Sequence, residues 1–255
     1  MTGGENEEGW EVIREARGFG DQTWPINLIS SREKLAVSDS GKRSKSNLVS
    51  LKREETKLIQ HLFGVPDSLG PRAVVFCGIE HGNGCSWICA RVAENLAARG
   101  PQSVCLVDAN HISPSLHSEF GVENLKGLAE AILEGGAIRQ YARRVSASNL
   151  WLLTSGFHAG DRSIWSSQHL TSVMARLRAE FDYVILDAPA VNLYLDVHAL
   201  GREADGVVLV VEANSTRRET AQKCKDALEQ ANIKLLGAVL NKRSFPIPEP
   251  IYRML

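Results

Sequence analysis

Short apolar segments alternate with segments of helical periodicity from residue 72 to residue 242, and this alternation restricts the fold more than any other feature. The apolar segments are rich in Val, Leu and Ile without polar alternation, which is typical of strands buried on both faces of a parallel sheet. Strands that alternate with helices predict an α/β domain with a doubly wound, mostly parallel sheet and flanking helices. The predicted strands are AVVFCG (73–78), SVCLVDA (103–109), LWLLTSG (150–156), DYVILDAP (182–189), GVVLVVEA (206–213) and LLGAVLNK (235–242). The predicted helices are Ser86–Arg99, Leu128–Glu134, Gln168–Glu180, Asp196–Arg202 and Arg217–Ala231.

Both ends of the chain differ in character from this central part. Residues 1–50 are polar, with SDSGKRSKSN as the clearest low-complexity stretch, and we expect them to form a flexible segment. Apolar residues at helical spacing then predict an amphipathic helix over 51–63. We therefore expect one domain over 51–245 that includes this helix, followed by a short proline-containing tail over 246–255.

Composition argues against several classes of protein. The formal net charge is −1 at pH 7, which indicates neither a nucleic-acid partner nor an anionic membrane surface. The five cysteines are odd in number and lack C-x-x-C spacing, so the sequence indicates neither a disulfide framework nor a zinc site. No apolar run approaches the roughly 20 residues that cross a bilayer, and the acidic N-terminus is unlike a secretory signal. We expect a cytoplasmic protein that meets the inner membrane only through a partner.

The stretch GIEHGNGCSW (78–87) joins a predicted strand to a predicted helix, which is the order that a phosphate-binding P-loop requires. Glycines in such a loop let backbone N–H groups approach a phosphate, and the helix N-terminus adds its positive end. A plain tight turn would use the same glycines. The candidate nucleotide-binding residues of this stretch are Gly78, Gly82, Asn83, Gly84, Cys85 and Ser86.

Polar side chains follow several of the other predicted strands. In FDYVILDAPA, Asp187 follows four apolar or aromatic residues in a Walker B arrangement, and with the Ser86 hydroxyl it forms a candidate Mg²⁺ site. Asp108 lies at the end of the predicted strand VCLVDA. A carboxylate in this position serves to hold a metal, to activate a water, to cap a helix or to shape a turn, and the sequence leaves these roles open. Asn241 ends LLGAVLN, where an amide reads a purine edge through its donor and acceptor or caps a turn. Because carboxyl ends of parallel strands meet at one edge of a sheet, these residues are expected at a common site.

The ordered set of motifs resembles the MinD/ParA-like branch of P-loop ATPases over roughly residues 50–243. Within that branch it resembles the bacterial tyrosine kinases (BY-kinases) of the CpsD/CapB capsule and exopolysaccharide family. The phrases that carry the resemblance are LVDANHISPSLHSEFGVENLKGLAEAILEG, LWLLTSG, FDYVILDAPAVNLYLDVHAL, ADGVVLVVEANSTRRE and LLGAVLNK. The resemblance implies ATP or ADP with Mg²⁺ as ligands and Asp108, Asp187 and Asp196 as the catalytic carboxylates. It also implies a partner, the cytoplasmic end of a membrane polysaccharide chain-length regulator.

The chain departs from the family pattern at its charged positions. Cys85 stands where the family carries the P-loop lysine, Glu80 stands near a second family lysine, and Asn110 replaces one of two paired acidic residues. The lysine ordinarily bridges phosphate oxygens, and losing one preorganised charge contact commonly costs on the order of 10²–10³ in rate. The sequence thus predicts weak or lost binding of nucleotide and Mg²⁺ and impaired catalysis. A thiol at a helix N-terminus also suggests a lowered pKa and redox reactivity, against the alternative of an inert buried cysteine.

Three functions fit this pattern. The first is a catalytically impaired BY-kinase-like protein that acts as a regulatory or assembly subunit in exopolysaccharide or capsule biosynthesis and export. The second is an active protein-tyrosine kinase or ATPase whose missing cation comes from Arg91, Arg217, Arg218 or a partner subunit. The third, a DNA-partitioning ATPase, fits less well because no concentrated basic face is visible.

Two further family features are weak in this chain. The helix before the domain carries Glu54, Lys57 and Gln60 at the spacing of a family motif that contacts the next subunit, which leaves homo-oligomers and a solvated face as alternatives. Kinases of the family usually end in a tyrosine cluster, whereas this tail has Tyr252 alone, which favours an ordinary terminal tyrosine over a phosphorylation site.

Overall fold

The computed structural model describes residues 26–27, 55–64, 70–145, 149–157 and 167–242. Within these residues, a mostly parallel sheet of eight strands carries helices on both faces, which confirms the predicted doubly wound α/β fold. Residues 1–50 other than 26–27, Glu54, and the tail with Tyr252 lie outside the described residues. The predictions for these segments therefore stay predictions.

The sheet has the spatial order β1-β8-β7-β2-β6-β3-β5-β4, and every pairing is parallel except that of β4 with β5. β2 lies at its centre between β6 and β7, so the carboxyl ends of these strands meet beside the P-loop. The strands are β1 (Ile26–Asn27), β2 (Ala73–Gly78), β3 (Val104–Asp108), β4 (Arg143–Arg144), β5 (Leu150–Leu153), β6 (Tyr183–Ala188), β7 (Gly206–Glu212) and β8 (Leu235–Asn241).

The helices connect these strands, and one additional turn of 3-10 helix spans Ile138–Gln140. They are α1 (55–63), α2 (Cys85–Ala97), α3 (Leu116–Glu119), α4 (Leu128–Glu134), α5 (Ser167–Glu180), α6 (Asp196–Glu203) and α7 (Arg218–Gln230). No helix among the residues described is both long enough and apolar enough to span a bilayer.

Alternate side chains of the buried strands belong to two separate hydrophobic cores, one on each face of the sheet. In β2, Val75 and Cys77 join a core that α4, α5, α6 and α7 cover, whereas Val74 and Phe76 join a core that α1, α2 and α3 cover. Successive residues of a strand point to opposite faces, so a strand buried on both faces must be apolar throughout. All six residues of β2 are buried, as its uniformly apolar sequence predicts.

The structure differs from the sequence prediction at short elements and strand ends. The two-residue strands β1 and β4 and the four-residue helix α3 were not expected, since such short elements leave no periodic pattern. Pairing of β1 with β8 attaches Ile26–Asn27 to the sheet edge, although the sequence places them in a polar segment outside the domain. β5 ends at Leu153, short of the predicted end at residue 156. The next two backbone carbonyls instead accept the N–H groups of the first residues of α4.

Candidate nucleotide site at the strand ends

The loop after β2 has the backbone of a phosphate cradle. Gly82 and Gly84 adopt left-handed conformations with φ of 80° and 82°, which residues with a Cβ rarely adopt. A Cβ at Gly84 would also overlap the side-chain amide of Asn241. Gly84 is the N-cap of α2, so the free N–H groups of the first turn of this helix begin at Cys85. The predicted loop residues therefore form a glycine-dependent turn that opens into a helix N-terminus, which is the geometry that binds anions.

Two buried asparagines hold this loop in shape. The Asn83 side-chain oxygen accepts the Glu80 backbone N–H at 2.6 Å, and its amide nitrogen lies 3.4 Å from the Thr216 hydroxyl. The Asn241 amide donates to the Asn83 carbonyl at 2.7 Å, while its oxygen accepts the Lys242 backbone N–H at 2.8 Å. Both residues are 3% exposed or less. The Asn83 side chain holds the loop internally and reaches Thr216, while Asn241 connects the loop with β8.

Lys242 is a residue of the site that sequence reasoning missed. Its ammonium donates to the Gly82 carbonyl at 2.7 Å and lies 3.0 Å from a carboxylate oxygen of Glu212. The contact joins residues 160 positions apart, and the only sequence signal was its place directly after the final asparagine. A positive charge therefore reaches the P-loop from β8, although the loop itself carries none at the expected position.

Asp187 lies at the carboxyl end of β6 and is completely buried. Burial raises the pKa of this carboxyl to about 6, while the nearby side chains of Ser86, Cys85 and Cys89 act in the opposite direction. One oxygen accepts the Cys89 thiol at 3.7 Å, and the other has no hydrogen-bond partner among the described residues. A buried carboxylate oxygen without a partner beside the Ser86 side chain fits the predicted Mg²⁺ site.

Asp108 lies in register with Asp187 on the adjacent strand β3 and is equally buried. One carboxylate oxygen accepts the backbone N–H groups of Ser115 and Leu116 at 3.1 Å each, and the other accepts that of Asn110 at 3.3 Å. Burial and the charge of Asp187 raise the pKa of Asp108 to about 7, although these N–H groups lower it. Of the roles left open by the sequence, the contacts show that of a cap for the turn leading into α3.

Asp196 is the first residue of α6, as predicted, and one of its carboxylate oxygens is buried without a hydrogen-bond partner in the described residues. Two of the predicted catalytic carboxylates, Asp187 and Asp196, thus each have one buried oxygen that accepts no hydrogen bond from the described residues. Asp108 uses both of its oxygens locally.

The Cys85 thiol occupies the position of the family lysine and carries no charge. Its sulfur lies 4.0 Å from that of Cys89, one turn along α2. Burial raises the pKa of Cys85 to about 12, so the lowered pKa suggested by its place at a helix N-terminus is wrong. Desolvation of the thiol outweighs the hydrogen bonds to Cys89 and to the Gly78 backbone, which lower its pKa.

The arginines considered as replacements for the missing lysine differ in their ion pairs and in their exposure. Arg91 pairs with Glu55 at 3.1 Å and with Glu94 at 2.9 Å, and the first of these pairs attaches α2 to α1. Its guanidinium is therefore already paired with two carboxylates outside the loop. Arg217 and Arg218 are exposed at the start of α7. The backbone and Asp187 therefore fit a nucleotide with Mg²⁺, whereas the side chain at position 85 does not fit the role of the phosphate-binding cation.

Comparisons with known proteins agree on the family. The family model described as cellulose biosynthesis protein BcsQ matches residues 72–236. The tyrosine-protein kinase YwqD of Bacillus subtilis is 34% identical over 171 residues, which cover 67% of this chain and 72% of YwqD.

Solved structures agree on the fold. The chimerical protein CapA2B2 has a TM-score of 0.73 at 24% identity, covering 87% of this chain and 96% of the chimera. The septum site-determining protein MinD of Pyrococcus horikoshii, complexed with Mg-ADP, has a TM-score of 0.58 at 19% identity, covering 72% and 76%. The family model and the relative at 34% identity show that the chain belongs to the MinD/ParA-like P-loop ATPases that include BcsQ and, among them, to the bacterial tyrosine kinases (BY-kinases).

Proposed function

We propose that this chain is a catalytically impaired BY-kinase that serves as a regulatory or assembly subunit in bacterial exopolysaccharide or capsule biosynthesis and export. The observation that carries the proposal is the neutral thiol of Cys85 at the first position of α2, where the family places its phosphate-binding lysine. Without that charge, a γ-phosphate in transfer loses a preorganised contact that is commonly worth about 10²–10³ in rate.

The remaining features favour weak nucleotide binding. The loop N–H groups and the α2 N-terminus would hold phosphates, and Ser86 with Asp187 would hold Mg²⁺, which neutralises phosphate charge when bound. The solved MinD relative carries Mg-ADP, so a ligand of this class suits the shared fold. Because the buried Asp187 oxygen has no other described partner, a bound cation would relieve its desolvation.

A turnover assay tests the impairment directly. We expect the natural protein to show no Mg²⁺-ATP hydrolysis and no tyrosine phosphorylation above background, and the Cys85→Lys variant to bind nucleotide more tightly. Turnover by the natural protein that is abolished in Asp187→Ala would overturn the proposal, because it would show a working catalytic centre.

Lys242 gives the active-kinase alternative a specific candidate for the displaced cation. Its ammonium contacts the loop at the Gly82 carbonyl, and a phosphate held there would compete with Glu212 for this charge. If turnover is found, the alternative expects its loss in Lys242→Met and its retention in Arg217→Met, since Arg217 is exposed at the α7 N-cap. Equal turnover in both variants would remove Lys242 from this role.

The proposed partner is the cytoplasmic end of a membrane chain-length regulator. Support comes from large apolar side chains exposed beside the nucleotide site: Leu193 and Leu195 after β6 are 54% and 79% exposed, and Ile112 after β3 is 37% exposed. Both segments follow strands whose carboxyl ends lie at the same edge of the sheet, and exposed large apolar groups are a feature of protein interaction sites. The double variant Leu193→Ser/Leu195→Ser should weaken binding to a synthetic peptide of the regulator's cytoplasmic segment. Leu133→Ser, which changes an exposed leucine of α4, should not.

Self-association through α1 is a second part of the proposal. Lys57 and Gln60 lie three residues apart on this helix and are both exposed, as a subunit contact requires. Sedimentation of the natural protein beside a Lys57→Glu/Gln60→Glu variant tests it. A concentration-dependent oligomer that the variant lacks is the expected result, and a monomer at all concentrations would contradict it.

A further inference from the structure

Three side chains that ligate metals converge where α2 passes the end of β6. The sulfurs of Cys85 and Cys89 lie 4.0 Å apart, and the Cys89 sulfur lies 3.7 Å from a carboxylate oxygen of Asp187. All three ligand atoms fall within 4.8 Å of one another. The two cysteines share a helix face because they are four residues apart, and the pairing of β2 with β6 brings Asp187 to that face.

These separations match a tetrahedral site. Sulfurs bound to zinc at about 2.3 Å in tetrahedral geometry lie about 3.8 Å apart, and a sulfur and an oxygen ligand lie about 3.5 Å apart. The two sulfurs, and the Cys89 sulfur and the Asp187 oxygen, exceed these values by only a few tenths of an ångström. The Cys85 sulfur and the Asp187 oxygen lie within 4.8 Å of each other, so side-chain rotations must bring this third pair together around an ion.

The complete burial of Asp187 is a second observation that favours a cation beside this cluster. Asp187 is fully buried, and one of its oxygens has no hydrogen-bond partner among the described residues. Burying an acceptor without a partner costs about 1–3 kcal/mol, and more for a charged group. The oxygen that faces the Cys89 sulfur is the other one, so a cation at the two thiols would bind that oxygen and offset the desolvation of the whole carboxylate. Cys85 is only partly buried, which gives an ion a path from the loop surface.

We propose that Cys85, Cys89 and Asp187 form a Zn²⁺ site, with both sulfurs and the carboxylate as protein ligands and a fourth coordination position open to water. Three protein ligands and one open position are typical of non-structural zinc sites. Thiolates favour zinc over the magnesium that the fold family uses. Binding releases the two thiol protons to solvent, so the ion replaces the hydrogens that now lie between the sulfurs and the carboxylate.

Titration of the purified full chain with Co²⁺, the spectroscopic substitute for zinc, tests the site. We expect one ion per chain, with thiolate-to-cobalt charge-transfer absorption and the intense visible bands of a tetrahedral ion, both lost on adding Zn²⁺. Cys85→Ala and Asp187→Asn should each lower Zn²⁺ affinity more than about 100-fold in competition with a chromophoric chelator, since loss of an outer-shell group alone costs 10–100-fold.

Cys224→Ala is the matched control because Cys224 is buried in α7 and belongs to the opposite core. It should leave the cobalt spectrum and the Zn²⁺ affinity unchanged, and circular dichroism should show that every variant stays folded. Absence of thiolate charge transfer in the natural protein, or a spectrum that Cys85→Ala does not alter, would overturn the proposal.

Discussion

Asp108 and Asp187 stand side by side on β3 and β6, both fully buried, yet their carboxylates are used differently. Asp108 accepts three backbone N–H groups, those of Asn110, Ser115 and Leu116. Asp187 accepts one thiol and keeps an oxygen without a described partner. The same residue type at equivalent strand ends therefore stabilises the local fold in one case and leaves bonding capacity for a ligand in the other.

This difference also separates the two sides of the candidate site. On the β3 side, the chain after Asp108 turns back within eight residues and supplies its own hydrogen-bond donors. On the β6 side, the chain leaves Asp187 through Ala188 and Pro189, and its neighbours are the P-loop and the thiols of α2. A motif at a strand end thus acquires its role from the donors that surround it, and its position alone does not assign that role.

The largest effect on stability should come from removing the Asp108 carboxylate, which accepts three backbone hydrogen bonds. Asp108→Ala leaves three backbone N–H groups without their acceptor and should lower the free energy of unfolding by about 3 kcal/mol. Asp187→Ala should cost less than half as much, because it deletes one weak thiol bond and a partnerless oxygen and also removes a carboxylate whose ionised form is destabilised by burial. Urea denaturation of both variants at pH 7 in a chelating buffer checks the prediction. Equal losses would remove the distinction between the two aspartates.

A pH series should show the next largest effect. The folded-state pKa of Asp187 is raised to about 6, so between pH 4 and about 6 the folded state binds more protons than the unfolded state. Stability contributed by the protonated carboxyl is present at low pH and is lost as the pH rises through this window. Asp187→Asn should therefore be more stable than the natural protein above pH 6 by about 2–3 kcal/mol, since one pKa unit corresponds to about 1.4 kcal/mol, and the gain should vanish below pH 4.

The matched measurement is denaturation of both proteins across this range without metal. Asp187→Asn should also flatten the part of the slope that belongs to Asp108, because the charge of Asp187 helps to raise the pKa of Asp108. A gain in stability that does not depend on pH would contradict the assignment of the effect to ionisation.

The smallest predicted effect compares two glycines of the P-loop. Alanine at Gly82 or Gly84 meets a left-handed backbone, which costs about 1 kcal/mol in each case. Only at Gly84 would the new Cβ also overlap the Asn241 side chain and displace it from the Asn83 carbonyl, whereas the space around Gly82 is open. We expect Gly84→Ala to be less stable than Gly82→Ala by about 1 kcal/mol. Equal thermal midpoints would show that the Asn241 contact contributes nothing.

Local sequence patterns predicted much of this fold for a physical reason. Strands buried on both faces must be continuously apolar, so β2, with its residues 73–78, could be read directly. The left-handed turn at Gly82 and Gly84 and the position of Asp187 at the end of β6 were also predictable, because both depend on local backbone conformation. The two-residue strands could not be predicted, because their pairing depends on neighbours that are distant in the chain.

The site was harder to predict because its chemistry depends on contacts between distant segments. Lys242 meets Gly82 only because β8 and the P-loop end at the same edge of the sheet. Cys89 looks like an ordinary core residue of α2 until the fold brings Asp187 to within 3.7 Å of its sulfur. Absence of C-x-x-C spacing says nothing about a cluster whose third ligand lies 98 residues away.

Calorimetric titration with Mg-ADP and Mg-ATP tests the central claim most directly: the P-loop keeps its backbone cradle and its Asp187 site but lacks the charge that makes it catalytic. Natural protein and Cys85→Lys would be measured in parallel. The account predicts weak or undetectable binding by the natural protein and clear binding by the lysine variant. Tight binding by the natural protein that Cys85→Lys does not improve would contradict it, because the missing charge would then be supplied from elsewhere in the fold.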